Sequence, residues 1–336
     1  MGFQDTGLWA DVREMPGPLA ATLDARTGVA EAAALLRDDR VRRIVATGNG
    51  AAYYVAHALW LASLEAEADG PPIVAVPCGV AVRGGFRWRE GDAVLAVSSS
   101  GEFRDVVEIA RAARDSRPCV AITADASSSL AGAATASVVQ TVAHQRAVTH
   151  TQALSGAYSA GLALWAVVTG DTGLERLLDG AVDALSATIG DAEAWAEETL
   201  PSLGAPAAAI AAGGGTAWAA AMELALMLKE VSRIPAEGVE TREGATSAMF
   251  GLAEGHLMVS LDPVGDPLGD EAVKLCAATG ARTLRPPGAA ADARLSMITT
   301  LPASAALAAG LAQAAGHDVD KPTWTDAYYE TARSAT

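Results

Sequence analysis

One pattern occurs twice along this chain of 336 residues: a short apolar run leads into a Gly-rich turn and then into a helical stretch. It is found at residues 42–65 and again at residues 207–232. Short apolar runs between helices are typical of parallel strands that are covered on both faces of a sheet. The repetition therefore predicts an α/β fold with two tandem doubly wound domains, each a mostly five-stranded parallel sheet flanked by helices.

The same pattern predicts the individual elements and the domain boundaries. The predicted strands are 42–46, 72–76, 93–97, 119–123 and 137–142 in the first domain, and 207–212, 256–261, 281–284 and 296–300 in the second. The predicted helices include 52–65, 104–114, 173–200, 216–232 and 303–316, and residues 238–247 are predicted to form a polar loop. We expect an N-terminal segment (1–27), a first domain (28–172), a helical connector (173–200), a second domain (201–316) and a C-terminal tail (317–336).

Charge and composition narrow the range of partners. The formal net charge is −16, which disfavours nucleic acid and anionic membrane surfaces but not a small anionic substrate in a local pocket. No apolar run reaches the roughly 18 residues of a membrane span, and residues 1–15 lack a signal-peptide pattern, so we expect a cytoplasmic protein. The cysteines Cys78, Cys119 and Cys276 are few and far apart, which predicts buried apolar side chains and neither disulfides nor a metal site.

The loop Ser98-Ser99-Ser100-Gly101-Glu102 carries the first candidate site. It follows a predicted strand and opens a helix, where free N–H groups and the helix dipole favour negative charge. Three hydroxyls and a glycine suit a phosphate or a polyhydroxylated ligand, although serines that only cap a helix would give the same pattern. The turn Gly48-Asn49-Gly50 has the same topology. A dinucleotide fingerprint would require glycine at position 53, where Tyr53 stands.

The helix predicted in the second domain carries two acidic residues seven positions apart, Glu223 and Glu230. They share a face with Leu226 and Met227, so a carboxylate there could have a raised pKa and act as a general base, or both could be ordinary surface charges. Glu240 and Glu243 lie in the predicted polar loop. No histidine has a partner at metal-ligand spacing, so we predict no metal and no cofactor. His150, at a predicted helix start, could face the site or simply be exposed.

Together these motifs resemble the double-SIS (sugar isomerase) family, which includes the isomerase part of glucosamine-6-phosphate synthase, SIS-type glucosamine-6-phosphate deaminases and fructosamine-6-phosphate deglycases. The resemblance covers nearly the whole chain. The matching segments are Glu14-Met15-Pro16, Ser98 to Glu102 (S-x-S-G-E), Glu223 to Glu230 (E-x-A-L-x-L-K-E), Ala236-Glu237, and Asp318-Val319-Asp320-Lys321-Pro322 (D-x-D-x-P).

The resemblance implies two SIS domains, a small-molecule sugar derivative as the substrate, and a homodimer. It implies that Glu230 moves a proton between adjacent carbons and that Glu243 is a second catalytic residue. The substrate-binding residues that it implies, together with the candidates named above, are Gly48, Asn49, Gly50, Ser98, Ser99, Ser100, Glu102, Arg104, His150, Thr246 and Lys321. The predicted activity is that of an aldose–ketose isomerase, an amino-sugar deaminase or a deglycase.

Several positions depart from the family pattern. Ala51, Ala52 and Phe103 stand where the family has hydroxyl residues that bind phosphate, Thr246 stands at the ring-opening histidine, and Ala327 stands near the tail lysine. We therefore expect a substrate whose phosphate is absent or held differently, by Arg104 or His150. The same losses would also suit a non-catalytic carbohydrate-binding or regulatory SIS protein, so both interpretations remain open at this point.

Overall fold

The computed structural model describes residues 2–66, 68–290 and 292–333 and contains two compact units. We call them the first-sheet unit, with residues 17–143, 152–182 and 324–333, and the second-sheet unit, with residues 2–16, 144–151 and 183–323. The chain therefore passes between the units several times. The short segment 144–151 and the N-terminal residues both belong to the second-sheet unit.

The elements follow one another in the α/β order that the sequence predicts. In chain order they are α1 (Gly7–Glu14), α2 (Pro16–Ala25), α3 (Val29–Leu36), β1 (Arg43–Thr47), α4 (Ala51–Glu65), β2 (Ile73–Ala75), α5 (Cys78–Val82), β3 (Asp92–Val97), α6 (Arg104–Ala113), β4 (Cys119–Thr123), α7 (Ser129–Ala133), β5 (Ala136–Val139), α8 (Thr151–Thr169) and α9 (Thr172–Asp179). They continue with α10 (Ala181–Leu203), β6 (Ala209–Gly213), α11 (Ala217–Glu230), β7 (Ala236–Glu240), α12 (Thr241–Thr246), β8 (Leu257–Ser260), α13 (Pro267–Ala277), β9 (Arg282–Leu284), α14 (Ser296–Thr299), α15 (Leu301–Ala314) and α16 (Thr325–Ala332).

The first sheet is parallel, with the strand order β2-β1-β3-β4-β5. Every residue of the central strands β3 and β4 is buried, because helices cover both faces of the sheet. Helix α6 shows how such a cover forms. Its buried residues Val106, Val107, Ile109, Ala110 and Ala113 recur at helical spacing and pack with Val94, Ala96 and Ala121 of the sheet.

The second sheet repeats this arrangement with the parallel order β7-β6-β8-β9. Strand β6 corresponds to β1. Each is followed in the chain by a Gly turn and a helix, and each lies in its sheet between the next two strands of the chain. Glycines allow helix α11 to approach the sheet closely: a Cβ at Gly238 in β7 would lie 2.4 Å from the Met222 Cα. The predicted duplication of a doubly wound α/β unit is thus confirmed.

Two predicted elements of the second domain are wrong. Residues 296–300 are predicted as a strand, but Ser296–Thr299 form helix α14, and the second sheet has four strands in the described chain. A short apolar run cannot by itself distinguish a strand from a buried helical turn. Here the Thr300 and Ser304 hydroxyls donate to carbonyls four residues earlier, at 2.7 and 2.9 Å, as helix geometry allows. The predicted loop 238–247 contains strand β7 and helix α12 instead.

The predicted connector helix 173–200 is also two helices, α9 and α10, which meet at Gly180. The three cysteines are free and buried, as expected. Burial raises the pKa of Cys78 and of Cys119 to about 12, which keeps both thiols protonated. In the part of the chain that the structure describes, no single helix is long and apolar enough to cross a membrane, and one pair, 293–299 with 301–314, meets that test only jointly and with a 41° bend.

Candidate functional site

In the first-sheet unit, two loops meet at the carboxyl ends of neighbouring strands. Gly48-Asn49-Gly50 joins β1 to α4, and Ser98 to Phe103 joins β3 to α6. Strand β2 lies on one side of β1 and strand β3 lies on the other. The direction in which successive strands are added to the sheet therefore reverses between these two loops. Ligands of open α/β sheets bind at such a reversal point, close to helix N-termini. We call this region the serine switch point.

Ser98 and Gly101 fix the conformation of the loop. The Ser98 side chain is buried, and the Gly101 N–H donates to the Ser98 carbonyl at 3.1 Å and to the Ser98 Oγ at 3.2 Å. Gly101 has φ +65°, and a Cβ there would lie 2.2 Å from the Ser128 Oγ. Glycine is therefore required at this position both for the backbone conformation and for the close approach to Ser128.

Glu102 anchors the loop to the next helix. Its carboxylate accepts hydrogen bonds from the Ser129 N–H and from the Ser129 hydroxyl, both at 2.8 Å. Ser129 is the first residue of α7, whose N-cap is Ser128. An acidic side chain at a helix N-terminus satisfies free N–H groups and is favoured by the helix dipole. These bonds give Glu102 a role in holding the loop, and its predicted contact with substrate stays a prediction.

Two further polar residues, which were not predicted from the sequence, lie beside Ser99. The Ser99 carbonyl accepts from the Thr123 hydroxyl at 3.0 Å, and its Oγ accepts from the Gln140 amide at 3.5 Å. Gln140 is only 2% exposed, and its Oε1 has no hydrogen-bond partner among the described residues. Thr123 is the last residue of β4, and Gln140 directly follows β5. A polar residue at the end of a buried strand is therefore the sequence feature from which both could have been predicted.

The other predicted residues of this unit, apart from the buried Gly48, are half-buried or exposed. Asn49 and Ser100 are half-buried, and the Ser100 Oγ accepts from the Glu102 N–H at 3.4 Å. Gly48 approaches α4 so closely that a Cβ would lie 2.7 Å from the Ala52 carbonyl carbon. Arg104 is exposed and lies 3.7 Å from the Asp105 carboxylate, which competes with any anionic ligand for its charge.

An aromatic cluster adjoins the serine switch point. The Phe103 ring lies 5.9 Å from that of Tyr328, which is 5.4 Å from that of Tyr329. The backbones of Phe103 and Arg333 form an antiparallel bridge, and the Arg333 guanidinium lies 4.3 Å above the Tyr329 ring. Helix α16 therefore packs its aromatic residues beside the end of the Ser98–Glu102 loop.

In the second-sheet unit, Glu223 and Glu230 lie on one face of α11 but in different surroundings. Glu223 is 5% exposed, and its Oε2 has no hydrogen-bond partner in the described part of the chain. Burial, and secondarily the charge of Glu230, raise the pKa of Glu223 to about 8. Glu230 is exposed as a whole residue, and desolvation of its carboxylate also raises its pKa.

The other predicted residues of this unit lie at its surface. Glu243 and Thr246 are exposed on α12, and the Thr246 hydroxyl donates to the Arg242 carbonyl of the same helix at 2.8 Å. Lys321 is exposed, and its N–H donates to the Asp318 carboxylate at 3.0 Å. His150 is exposed too, directly before α8. The part of the D-x-D-x-P motif with a clear structural role is Asp320, which caps α1 by accepting from the Gly7 and Leu8 N–H groups at 2.8 Å.

A buried carboxylate occupies the carboxyl edge of the second sheet. Asp262 follows β8 and is 5% exposed, and it accepts from the Gly214 N–H and the Thr241 hydroxyl, both at 2.7 Å. Gly214 and Thr241 follow β6 and β7, so Asp262 connects three strand ends. Burial raises its pKa, while the hydrogen bonds from Thr241 and Gly214 oppose that shift. We call this region the aspartate switch point.

The structure thus divides the predicted residues between the two units. The first-sheet unit carries Gly48, Asn49, Gly50, Ser98, Ser99, Ser100, Glu102 and Arg104, and the second-sheet unit carries Glu230, Glu243, His150, Thr246 and Lys321. Among the described residues, no group of three or more histidine, cysteine, aspartate or glutamate side chains is arranged to hold a metal ion.

Solved structures share this fold over nearly the whole chain. A protein from Silicibacter pomeroyi DSS-3, provisionally described as a phosphosugar isomerase, is 24% identical, with a TM-score of 0.79 over 94% of this chain and 100% of that one. The C-terminal domain of glucosamine-fructose-6-phosphate aminotransferase from Francisella tularensis is 19% identical, with a TM-score of 0.79 over 95% and 98%. Tagatose-6-phosphate ketose/aldose isomerase from Escherichia coli is 17% identical, with a TM-score of 0.75 over 96% of each chain.

No protein-family model matches the sequence, and no curated protein matches it. At these identities the structural likeness concerns the fold alone. The chain has the fold of the sugar-isomerase structures, and the resemblance seen in the sequence is confirmed at that level.

Proposed function

We propose that this chain is an enzyme that moves a proton between adjacent carbons of a sugar or amino sugar, with Glu230 as the general base. The observation that carries this proposal is the pair of carboxyl groups on one face of α11. Glu223 is buried with a pKa of about 8, so it holds its proton at neutral pH, whereas Glu230 is exposed and can reach a ligand. Because the buried neighbour stays protonated, the exposed Glu230 is the carboxylate that is left to act as a base.

In the proposed reaction, the Glu230 carboxylate removes the proton from the carbon next to a carbonyl or an imine. The electron pair left behind moves onto the carbonyl oxygen or onto a protonated imine nitrogen and forms an enediolate or an enamine. Glu230 then returns its proton to the former carbonyl or imine carbon. The hydroxyl group on the neighbouring carbon becomes the new carbonyl by losing its proton, which passes to the other oxygen of the enediolate or, from the enamine, to water. The raised pKa of Glu230 brings it closer to neutral pH, where a general base is most effective. A protonated Glu223 adds no second negative charge to this face, which would otherwise oppose ionisation of Glu230.

We propose that the serine switch point binds hydroxyl groups, or a phosphate held in an unusual way. Four polar side chains there, those of Ser98, Ser99, Thr123 and Gln140, are neutral and offer both donors and acceptors, while the Glu102 carboxylate is bound by Ser129. Each hydrogen bond to a charged phosphate is worth about 1.5–3 kcal/mol, so alanine at 51 and 52 and Phe103 would together weaken phosphate binding by orders of magnitude. The Phe103–Tyr328–Tyr329 cluster instead offers an apolar surface suited to the C–H face of a sugar ring.

The proton transfer can be tested by following exchange of the substrate's C–H hydrogen for deuterium in D₂O by NMR. We expect Glu230→Gln to slow exchange by about 100- to 10,000-fold, because amides do not accept protons from carbon. Substrate affinity measured by calorimetry should stay within a few-fold. Glu237→Gln, at an exposed position on β7, removes the same charge and is the matched control. Retention of exchange in Glu230→Gln would refute the assignment of the base.

The nature of the substrate can be tested by comparing the same sugars with and without a 6-phosphate group. We expect an unphosphorylated sugar or amino sugar to bind more tightly than its phosphate ester. Micromolar binding of ordinary hexose 6-phosphates would contradict the proposal about the serine switch point. It would leave the role of Glu230 in proton transfer untouched.

A non-catalytic sugar-binding protein is the second candidate. It is favoured by Thr246, which stands where the related enzymes are expected to have their ring-opening histidine and whose hydroxyl bonds its own helix. Saturable sugar binding with no detectable hydrogen exchange in the unaltered protein would establish this alternative. The expected homodimer also remains a proposal, which analytical ultracentrifugation would test.

A further inference from the structure

A cavity lies at the opposite end of the first sheet from the serine switch point. Its volume is about 290 Å³, and its lining includes Val82, Trp88, Glu108, Ile109, Ala112 and Arg117. Trp88 precedes β3 and Arg117 precedes β4, so the cavity is at the amino ends of these strands. Its volume is at the lower end of the range for small-molecule sites, which favours a compact ligand.

Arg117 provides a fixed cationic group with unused donor capacity. Its guanidinium lies 4.7 Å above the Trp88 ring, and its Nε donates to the Ser116 Oγ at 3.3 Å. Its Nη1 is buried and has no hydrogen-bond partner among the residues that the structure describes. A buried N–H of a charged group is costly to leave unpaired, and the planar fork of arginine matches a carboxylate.

The Trp88 ring is itself held in place from the other side. Phe86 meets it edge-on with a centroid distance of 4.9 Å, and Arg43 lies 5.2 Å above Phe86. The Arg43 guanidinium is bound by both oxygens of the buried Asp92 carboxylate, at 2.9 and 2.7 Å. The stack therefore presents Arg117 in one orientation, which reduces the entropy lost when a ligand binds.

The rest of the lining adds an opposite charge and an apolar wall. Glu108 carries an exposed carboxylate on α6, and Val82, Ile109 and Ala112 supply aliphatic surface. A guanidinium, a carboxylate and an apolar wall around one small cavity are complementary to a zwitterion with an aliphatic side chain. We propose that this cavity binds a free α-amino acid, with its carboxylate on Arg117, its ammonium on Glu108, and its aliphatic side chain against Val82 and Ile109.

Calorimetry with leucine and two analogues, each of which lacks one of its charged groups, tests this proposal. Leucine has both charged groups, 4-methylpentanoate lacks the ammonium, and 3-methylbutylamine lacks the carboxylate. We expect leucine to bind, 4-methylpentanoate to bind about tenfold or more weakly, and 3-methylbutylamine not to bind. Equal binding of leucine and 4-methylpentanoate would overturn the role of Glu108, and absence of leucine binding would overturn the whole proposal.

Variants assign the binding to this cavity. Arg117→Gln should abolish leucine binding, and Glu108→Gln should weaken leucine but not 4-methylpentanoate. Ala112→Phe, at an exposed position, should fill the cavity without disturbing the core, so it covers the case in which Arg117→Gln folds poorly. Arg111 lies at an exposed position of α6, the helix that carries Glu108 and Ala112. Arg111→Gln removes the same charge as Arg117→Gln, so it is the matched control and should bind leucine normally. Unchanged leucine binding in Ala112→Phe would refute the proposal. A change in the oligomeric state of Ala112→Phe, measured by ultracentrifugation, would also refute it, because a second copy of the chain would then cover this face.

Discussion

The loop after β3 presents Ser98 and Ser99 at the edge of the first sheet, whereas the corresponding loop after β8 carries Asp262 at the edge of the second. Ser98 and Ser99 are neutral and hold their own loop together, and the Gln140 Oε1 beside them has no hydrogen-bond partner among the described residues. Asp262 is buried and accepts from groups that follow two neighbouring strands. The strand order around β1 and β6 is the same, so the difference is one of side chains and not of topology.

A duplicated fold can thus carry different side chains at the two equivalent edges of its sheets. A buried carboxylate repels phosphate. At the serine switch point the Glu102 carboxylate is bound by Ser129, and the hydroxyls of the loop can turn toward a ligand. The function of each edge therefore depends on the residues at its strand ends, because the architecture that the two sheets share does not distinguish one edge from the other.

In the second-sheet unit, the ionisation of Glu223 is coupled to folding. Glu223 has a pKa of about 8 in the folded protein, against an ordinary value of 4.5. The folded state thus binds this proton more tightly than the unfolded chain does. The resulting contribution to stability is complete below about pH 4.5 and is lost as the pH rises through about 8.

The largest expected effect is that Glu223→Gln makes the protein less sensitive to alkaline pH. Relative to the unaltered chain, we expect the variant to gain about 2–3 kcal/mol in free energy of unfolding between pH 6 and pH 9, because glutamine has no charge to bury. Urea unfolding at the two pH values measures this gain. Glu237→Gln is the exposed control and should show almost none. An equal pH dependence in both variants would mean that Glu223 is not buried as a protonated acid.

The next largest effect concerns the aspartate switch point. Asp262→Ala removes the acceptor for the Gly214 N–H and the Thr241 hydroxyl, and we expect it to cost about 2–3 kcal/mol in free energy of unfolding. Ser98→Ala, the corresponding change at the serine switch point, should cost only about 0.5–1.5 kcal/mol, because one of its two bonds to the Gly101 N–H is made by the backbone. Calorimetric unfolding of both variants measures the difference. Equal costs would remove the contrast between the two strand edges.

The sequence predicts the buried strands well and the polar ones poorly. Strands β3 and β4 are almost continuous apolar runs, and a short apolar run between helices and turns has few interpretations other than a buried strand. Strand β7 was missed because Val239 is its only buried residue, between acidic residues and a glycine that α11 packs against. Residues 296–300 have strand-like composition, but Ser296–Thr299 form a buried helix, in which the Thr300 hydroxyl bonds to the Ser296 carbonyl.

The same limit applies to the candidate site. The loop Ser98–Glu102 could be located because it follows a clear strand, and Glu230 because of its helix motif. The role of Glu102 could not be foreseen, since its partner Ser129 lies far along the chain and meets it only through the fold. The burial of Glu223, as opposed to the exposure of Glu230, likewise depends on how α11 packs on β7 and α15.

A smaller effect tests the conformation of the serine loop. Gly101→Ala places a Cβ in a left-handed backbone conformation and against the Ser128 Oγ, so we expect a loss of about 1–2 kcal/mol in stability together with weaker sugar binding. Gly132→Ala in α7 has open space around its Cβ and should be neutral or stabilise the helix slightly. Thermal unfolding and sugar calorimetry on both variants measure this. A Gly101→Ala protein with normal binding would show that the loop is not rigidly required.

The smallest expected effect decides what kind of oxygen the serine switch point prefers. Phe103→Ser restores a hydroxyl at the start of α6 and removes the ring that contacts Tyr328. We expect affinity for a hexose 6-phosphate to rise by about tenfold, the value of one hydrogen bond to a charged group, while affinity for the unphosphorylated sugar falls through loss of apolar contact. Phe103→Leu keeps an apolar side chain without a hydroxyl, so it should not gain phosphate affinity. If both variants bind phosphorylated and unphosphorylated sugars as the unaltered chain does, then Phe103 does not contact the ligand, and the preference must be set by the alanines at 51 and 52.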